Sequence, residues 1–216
     1  MAAPPRALRD PRWPSALAVV TALALYVTLP GRLIVGPSWV LPVFEALLLV
    51  PLLLASPYRH SAEEPWMRAA SVAIIVLINV ANIASLGLLC QQLLKGHTHS
   101  GVALFYSAIS IWLTNVIVFG LWYWELDRGG PAARYRGEDI PPDFQFPQMT
   151  TPAVARPGWR PGFIDYMYVS LTNATAFSPT DTMPLSPWSK VLMAVESLVS
   201  LLTVAIVAAR AVNILS

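Results

Sequence analysis

The chain has 216 residues, 56% of them hydrophobic and only 12% charged, with a mean hydropathy of +0.56. A soluble domain carries about 25% charged residues, so this composition excludes an ordinary soluble domain and points to an all-α integral membrane protein. The net charge of +2 gives no basis for nucleic-acid binding, and one cysteine, Cys90, excludes a disulfide framework or a cysteine zinc site.

Residues 1–14 form a basic, proline-rich tail. The apolar stretch after it is read as a first span and not as a cleaved signal, because no small-residue cleavage site precedes the next apolar run. It covers residues 15–29, or reaches 35 if Pro30-Gly31 only kinks it and Arg32 snorkels; a span needs about 20 residues. The second segment, 39–55, contains Pro42, Glu45 and Pro51, and is expected to pack against protein more than lipid. The third, 66–94, is the longest. Asn79, Asn82 and Ser85 recur at three-residue intervals along one of its faces. Such a stripe is expected to make interhelical hydrogen bonds, worth about 0.6–2 kcal/mol each. Ala84 and Gly87 are expected to admit a neighbouring helix closely. Residues 15–95 are thus expected to form a peripheral three-helix bundle. His97 and His99 follow in a short loop, and two histidines do not by themselves define a metal site.

The fourth span, 102–124, closes on Trp122-Tyr123-Trp124, aromatics expected at the headgroup level. Thr114 and Asn115 inside it are read as interhelical bonds. Residues 127–162 are rich in Gly, Pro, Arg and acids and lack periodicity. They are read as an irregular surface loop, pinned to the membrane interface by Phe144, Phe146, Trp159 and Phe163. A short amphipathic helix is expected over 163–172, a polar turn over 173–181 and a fifth span over 188–211. In lipid, irregular backbone survives only where protein or a water-filled cavity covers it. The turn between two embedded helices is therefore a candidate pore or binding site.

Its residues carry two readings each. Asp181 is a mouth carboxylate attracting cations, or an acceptor capping the loop or the next helix. Thr172, Asn173 and Thr175 line a pore, or make local turn bonds. Glu196, inside the fifth span, is an ion site or titrating gate, or is hydrogen-bonded to a neighbouring helix, the commoner fate of an intramembrane acid. Glu45 is read the same way, with Arg32 as its candidate partner. No Ser/His/Asp set, glycine-rich phosphate loop or paired-carboxylate arrangement is present in a soluble setting, so no enzymatic activity is expected.

Roughly the last quarter of the chain, or about half counting the outer helix, resembles the pore domain of tetrameric potassium-type channels. The family's filter, Thr-Val-Gly-Tyr-Gly-Asp, falls without a gap on Ala176-Phe177-Ser178-Pro179-Thr180-Asp181. Pro184 and Pro187 fall on the turn prolines, Lys190 on an Arg, and Val195-Glu196-Ser197 on Leu-Glu-Ala. The whole layout also resembles a bacterial family of five-span membrane proteins of unknown function. The resemblance implies a pore domain over 101–216: outer helix 102–124, surface loop 127–162, pore helix 163–172, filter-like loop 173–181 and inner helix 188–211. Ser178 and Thr180 replace the filter glycines, and Pro179 between them fixes φ and removes an N–H. Stacked carbonyl rings are therefore not expected. What the resemblance implies instead is a constriction lined by Thr172, Asn173, Thr175, Ala176, Phe177, Ser178, Pro179, Thr180 and Asp181, selecting cations by charge more than by size.

One pore-type loop per chain encloses nothing alone, so a homotetramer in the plasma membrane is implied. No cofactor is expected beyond a monovalent or divalent cation in transit, and the partners are the lipid bilayer and further copies of the chain, not nucleic acid. No span carries the regular Arg ladder of a voltage sensor. Lys and Arg counts place the long loop in the cytoplasm, opposite to the side the channel resemblance implies. The alternative is a non-conducting scaffold or small transporter that keeps the pore-domain fold.

Overall fold

The computed structural model describes residues 10–11, 13–34, 36–37, 39–44, 47, 58–59, 65–94, 101–176 and 181–215. Within them the chain is built from helices: α1 (Trp13–Val27), α2 (Pro65–Leu94), α3 (Gly101–Leu126), α4 (Pro131–Arg136), α5 (Pro147–Thr150), α6 (Phe163–Ala176) and α7 (Pro187–Leu215). Two short antiparallel pairings tie loops together. β1 (Asp10–Pro11) pairs with β2 (Tyr58–Arg59), and β3 (Phe144–Gln145) pairs with β4 (Met183–Pro184).

Among the described residues, three helical stretches are long and apolar enough to cross a membrane: Trp66–Leu94, Val102–Gly129 and Pro187–Ala208. The first expected span is shorter. Its helix stops at Val27, and Pro30 precedes a single 3-10 turn, Gly31–Leu33. Leu33 and Ile34, after the helix, are buried. Of the second expected span, only residues 39–44 and 47 are described; Glu45 lies outside the described residues.

Helix α3 is central, with α1, α2, α6 and α7 packed around it. At one end, Leu33, Leu86, Leu89, Leu104, Ile111 and Val199 form a largely aliphatic cluster with Tyr26. At the other, the core is aromatic: Phe119, Tyr123, Trp124, Phe144, Phe146, Phe163 and Tyr166. Tyr123 lies 5.0 Å from Phe144, and Phe146 meets Tyr166 edge-on at 5.3 Å, within the range where ring pairs add about 0.5–1.5 kcal/mol. This corrects the reading of 127–162 as an irregular surface loop. The segment carries α4, β3, α5 and two 3-10 turns, and its phenylalanines are core residues, not lipid anchors. Tyr123, expected at the headgroup level, is fully buried.

The turn that ends α3 has a clear backbone cause. Arg128, Gly129 and Gly130 all take positive φ, at 51°, 74° and 97°. A Cβ on Gly130 would lie 2.8 Å from the Glu125 carbonyl oxygen, so only glycine fits. The Arg134 guanidinium then reaches back and donates to the carbonyls of Trp124 (2.7 Å) and Asp127 (2.6 Å). It thus satisfies acceptors that the end of a helix leaves open.

Candidate functional site

Helix α6 starts at the closed end of α3 and runs back along it. The Phe163 and Trp124 rings are 5.3 Å apart. One turn on, the Tyr166 hydroxyl donates to Asp127 Oδ2 at 2.6 Å. Met167 then sits against Gly120, where a Cβ would lie 2.4 Å from its sulfur and 3.3 Å from its Cα. This glycine is the close-approach point. Gly87, expected in that role, has nothing within 4 Å. Last, Ser170 Oγ lies 2.7 Å from the Val116 carbonyl. Val116 is about 15 Å before the end of α3, at 1.5 Å rise per residue.

The chain then returns. Met183–Pro184 pair with Phe144–Gln145, and Leu185 N–H donates to the Asp143 carbonyl at 2.8 Å. Asp143 N–H donates in turn to Asp127 Oδ1, also at 2.8 Å. Residues 183–185 are therefore back at the end where α6 began. Ser186 caps α7, accepting from Ser189 N–H at 3.2 Å, with Pro187 in the first helical position. The cap of α7 is thus Ser186 and not Asp181.

Glu196 lies on α7 about 14 Å beyond Pro187, at the depth where α6 ends. It is fully buried. The Tyr123 hydroxyl of α3 donates to its Oε2 at 2.5 Å, and Asn173 Nδ2 of α6 donates to the same oxygen at 2.6 Å. Ser170 Oγ is in hydrogen-bond contact with Oε1. Asn173 also reaches the Met193 carbonyl (2.9 Å) and accepts from Ser197 Oγ (3.2 Å). Asn115 of α3 donates to the Glu196 backbone carbonyl (3.2 Å) and to Ser200 Oγ (3.0 Å). Three helices are thereby joined at one carboxyl group.

A second node was not visible in the sequence. Asp127 is fully buried and accepts from Tyr166, while the Arg134 guanidinium carbon stands 5.1 Å above the Tyr166 ring centroid. Arg128 N–H donates to Asp143 Oδ2 at 3.1 Å, which fastens the segment across Asp127. At the start of α6, Asp165 accepts from Gly162 N–H at 2.7 Å, an N3 side chain satisfying the N-cap donor. Burial raises the Asp165 carboxyl above its ordinary value, and the Gly162 N–H opposes that rise.

The expected site residues divide. Helix α6 continues to Ala176, so the turn expected from residue 173 starts after 176. The cause is local. The hydroxyls of Thr172 and Thr175 bond to carbonyls three and four residues back, and Asn173 is committed to Glu196, so none of them breaks the helix. Thr175 and Ala176 are exposed at the helix end, Thr172 is half-buried and Asn173 is buried. Asp181 is exposed. Phe177, Ser178, Pro179 and Thr180 lie outside the described residues, as do His97 and His99. Asn82 and Ser85 of α2 are buried.

Among the described residues no group of three His, Cys, Asp or Glu is placed to hold a metal. A separate open cavity of about 480 Å³ lies between α2 and the turn after α3, lined by Arg68, Val72, Glu125, Gly130 and Arg136 among others. Arg136 there pairs with Glu138 at 2.5 Å. Comparison with known protein families, with curated proteins and with solved structures finds no match to this chain.

Proposed function

We propose that the chain is one subunit of a pore-loop membrane protein, a homotetramer that passes cations along an axis lined by residues 175–181, with Asn173 held behind it by Glu196. The observation that supports this is the path of α6: inward along α3 to the level of Val116, then back to β4. With α3 and α7 as spans, that path supports reading α6 as a re-entrant helix that ends near the middle of the bilayer; the five-span reading adds α1 and the apolar stretch 39–55, most of which lies outside the described residues. Ile164, Tyr168, Leu171 and Thr175 share one face of α6 that its own chain leaves exposed. The last carbonyls of a helix have no partner within it, which is costly in hydrocarbon unless protein or water covers them. Four copies around an axis supply both.

Asp181, exposed just beyond the loop, then forms a ring of carboxylates at the pore mouth. The test is cation flux into liposomes holding the purified chain. Wild type is expected to carry flux, and Asp181→Asn to lower it severalfold while the assembly stays intact. Wild-type liposomes no leakier than empty ones contradict conduction. A second reading, a non-conducting scaffold with the same architecture, is favoured by one feature: α6 reaches Ala176, which leaves fewer residues to line an axis than the full stretch 173–181.

A further inference from the structure

We propose that Glu196 is a neutral carboxylic acid in the folded protein, and that in this form it is the positioning residue that fixes the depth of α6. The protons available around Glu196 decide its state whether or not the protein conducts. Ser170 Oγ faces two oxygens, the Val116 carbonyl at 2.7 Å and Glu196 Oε1. A hydroxyl owns one proton. The Val116 carbonyl can only accept, so with an ionised Glu196 one of the two contacts would set lone pairs against lone pairs. With the proton on Oε1, every contact has a donor. Glu196 Oε1–H donates to Ser170 Oγ, and Ser170 O–H donates to the Val116 carbonyl. Oε2 then accepts from Tyr123 and from Asn173, within the capacity of a carbonyl oxygen.

The surroundings agree. Tyr123 on α3 is the only titratable group facing the carboxyl among the described residues. The remaining partners, Ser170 and Asn173 on α6 with Asn115, Ser197 and Ser200 behind them, are all neutral. Among the described residues no cation meets Glu196, and a buried charge without a partner is neutralised before it is tolerated. The acid therefore joins α3, α6 and α7 without placing a charge behind the loop. Any cation attraction is left to Asp181.

Infrared spectroscopy of the full chain in lipid at neutral pH tests this. The wild-type spectrum is expected to hold the carbonyl stretch of a hydrogen-bonded carboxylic acid, absent from Glu196→Gln. The band is expected to shift in Ser170→Ala, which removes the acceptor for Oε1–H, and in Tyr123→Phe, which removes a donor to Oε2. Glutamine supplies one donor and one acceptor at the same places, so Glu196→Gln is expected to keep α6 as protease-resistant as wild type, whereas Glu196→Ala exposes it. A wild-type-minus-Glu196→Gln difference made only of carboxylate bands overturns the proposal. If the glutamine variant does not reconstitute, an acid band that moves in neither Ser170→Ala nor Tyr123→Phe overturns it equally.

Discussion

Two buried carboxyl groups are each met by a tyrosine hydroxyl: Asp127 by Tyr166 and Glu196 by Tyr123. Both are fully buried, and both join α3 to another part of the fold. Asp165 differs, being half-buried, with its carboxyl raised above the ordinary value of 3.8 chiefly by burial. The sign follows from linkage. The folded state holds this proton more tightly than the unfolded state, so stability falls as pH rises through the folded value. Asparagine keeps the acceptor for Gly162 N–H and removes the charge. Asp165→Asn is therefore expected to match or exceed wild-type stability at neutral pH, and the gap is expected to close on acidification toward and below the ordinary range; detergent unfolding midpoints across pH measure it. Glu196 was legible in the sequence because an acid in an apolar helix needs a partner. Tyr123 was not, because an aromatic at the end of a span has an interfacial explanation that requires no partner. Asp127 was not, because it stands in a run of Asp, Arg and Gly that reads as a solvated turn.

At the scale of elements, α3 is the post on which the fold is built, and its closest contact is Gly120 against Met167. The sequence pointed to Gly87 for close approach, since a glycine in a helix signals contact without saying which helix receives it. Overpacking a tight contact costs about 1–3 kcal/mol. Gly120→Val is expected to destabilise by about that much, because the Met167 Cα cannot yield as its sulfur can. Gly87→Val, with open space around it, is expected to cost less, mainly through helix propensity. Paired unfolding curves in the same detergent separate the two. The long apolar helices were legible from length and composition. The 127–162 segment was not. Its order comes from Arg134 closing α3, from Asp127 bonding Asp143, and from phenylalanines inserted between helices. All of these are long-range, and none leaves a periodic trace. The end of α6 was misplaced for a related reason. Thr, Asn and Thr read as turn formers, yet each has a hydrogen bond that keeps it helical.

The whole molecule poses the question of number. Among the described residues, three stretches suit membrane crossing by length and apolarity. The proposed account adds two more spans and a symmetry axis beside α6. On that proposal the exposed face Ile164, Tyr168, Leu171 and Thr175 borders the axis or a neighbouring copy. Cys90 is the single cysteine, so a Cys90→Ser background accepts one new label cleanly. The decisive measurement is the set of distances between spin labels on Thr175→Cys in lipid-reconstituted protein. The account predicts two short distances, related as the side and diagonal of a square, from four labels close around one axis. A sample with no dipolar coupling between copies, or with labels far apart at the rim of the assembly, would contradict it.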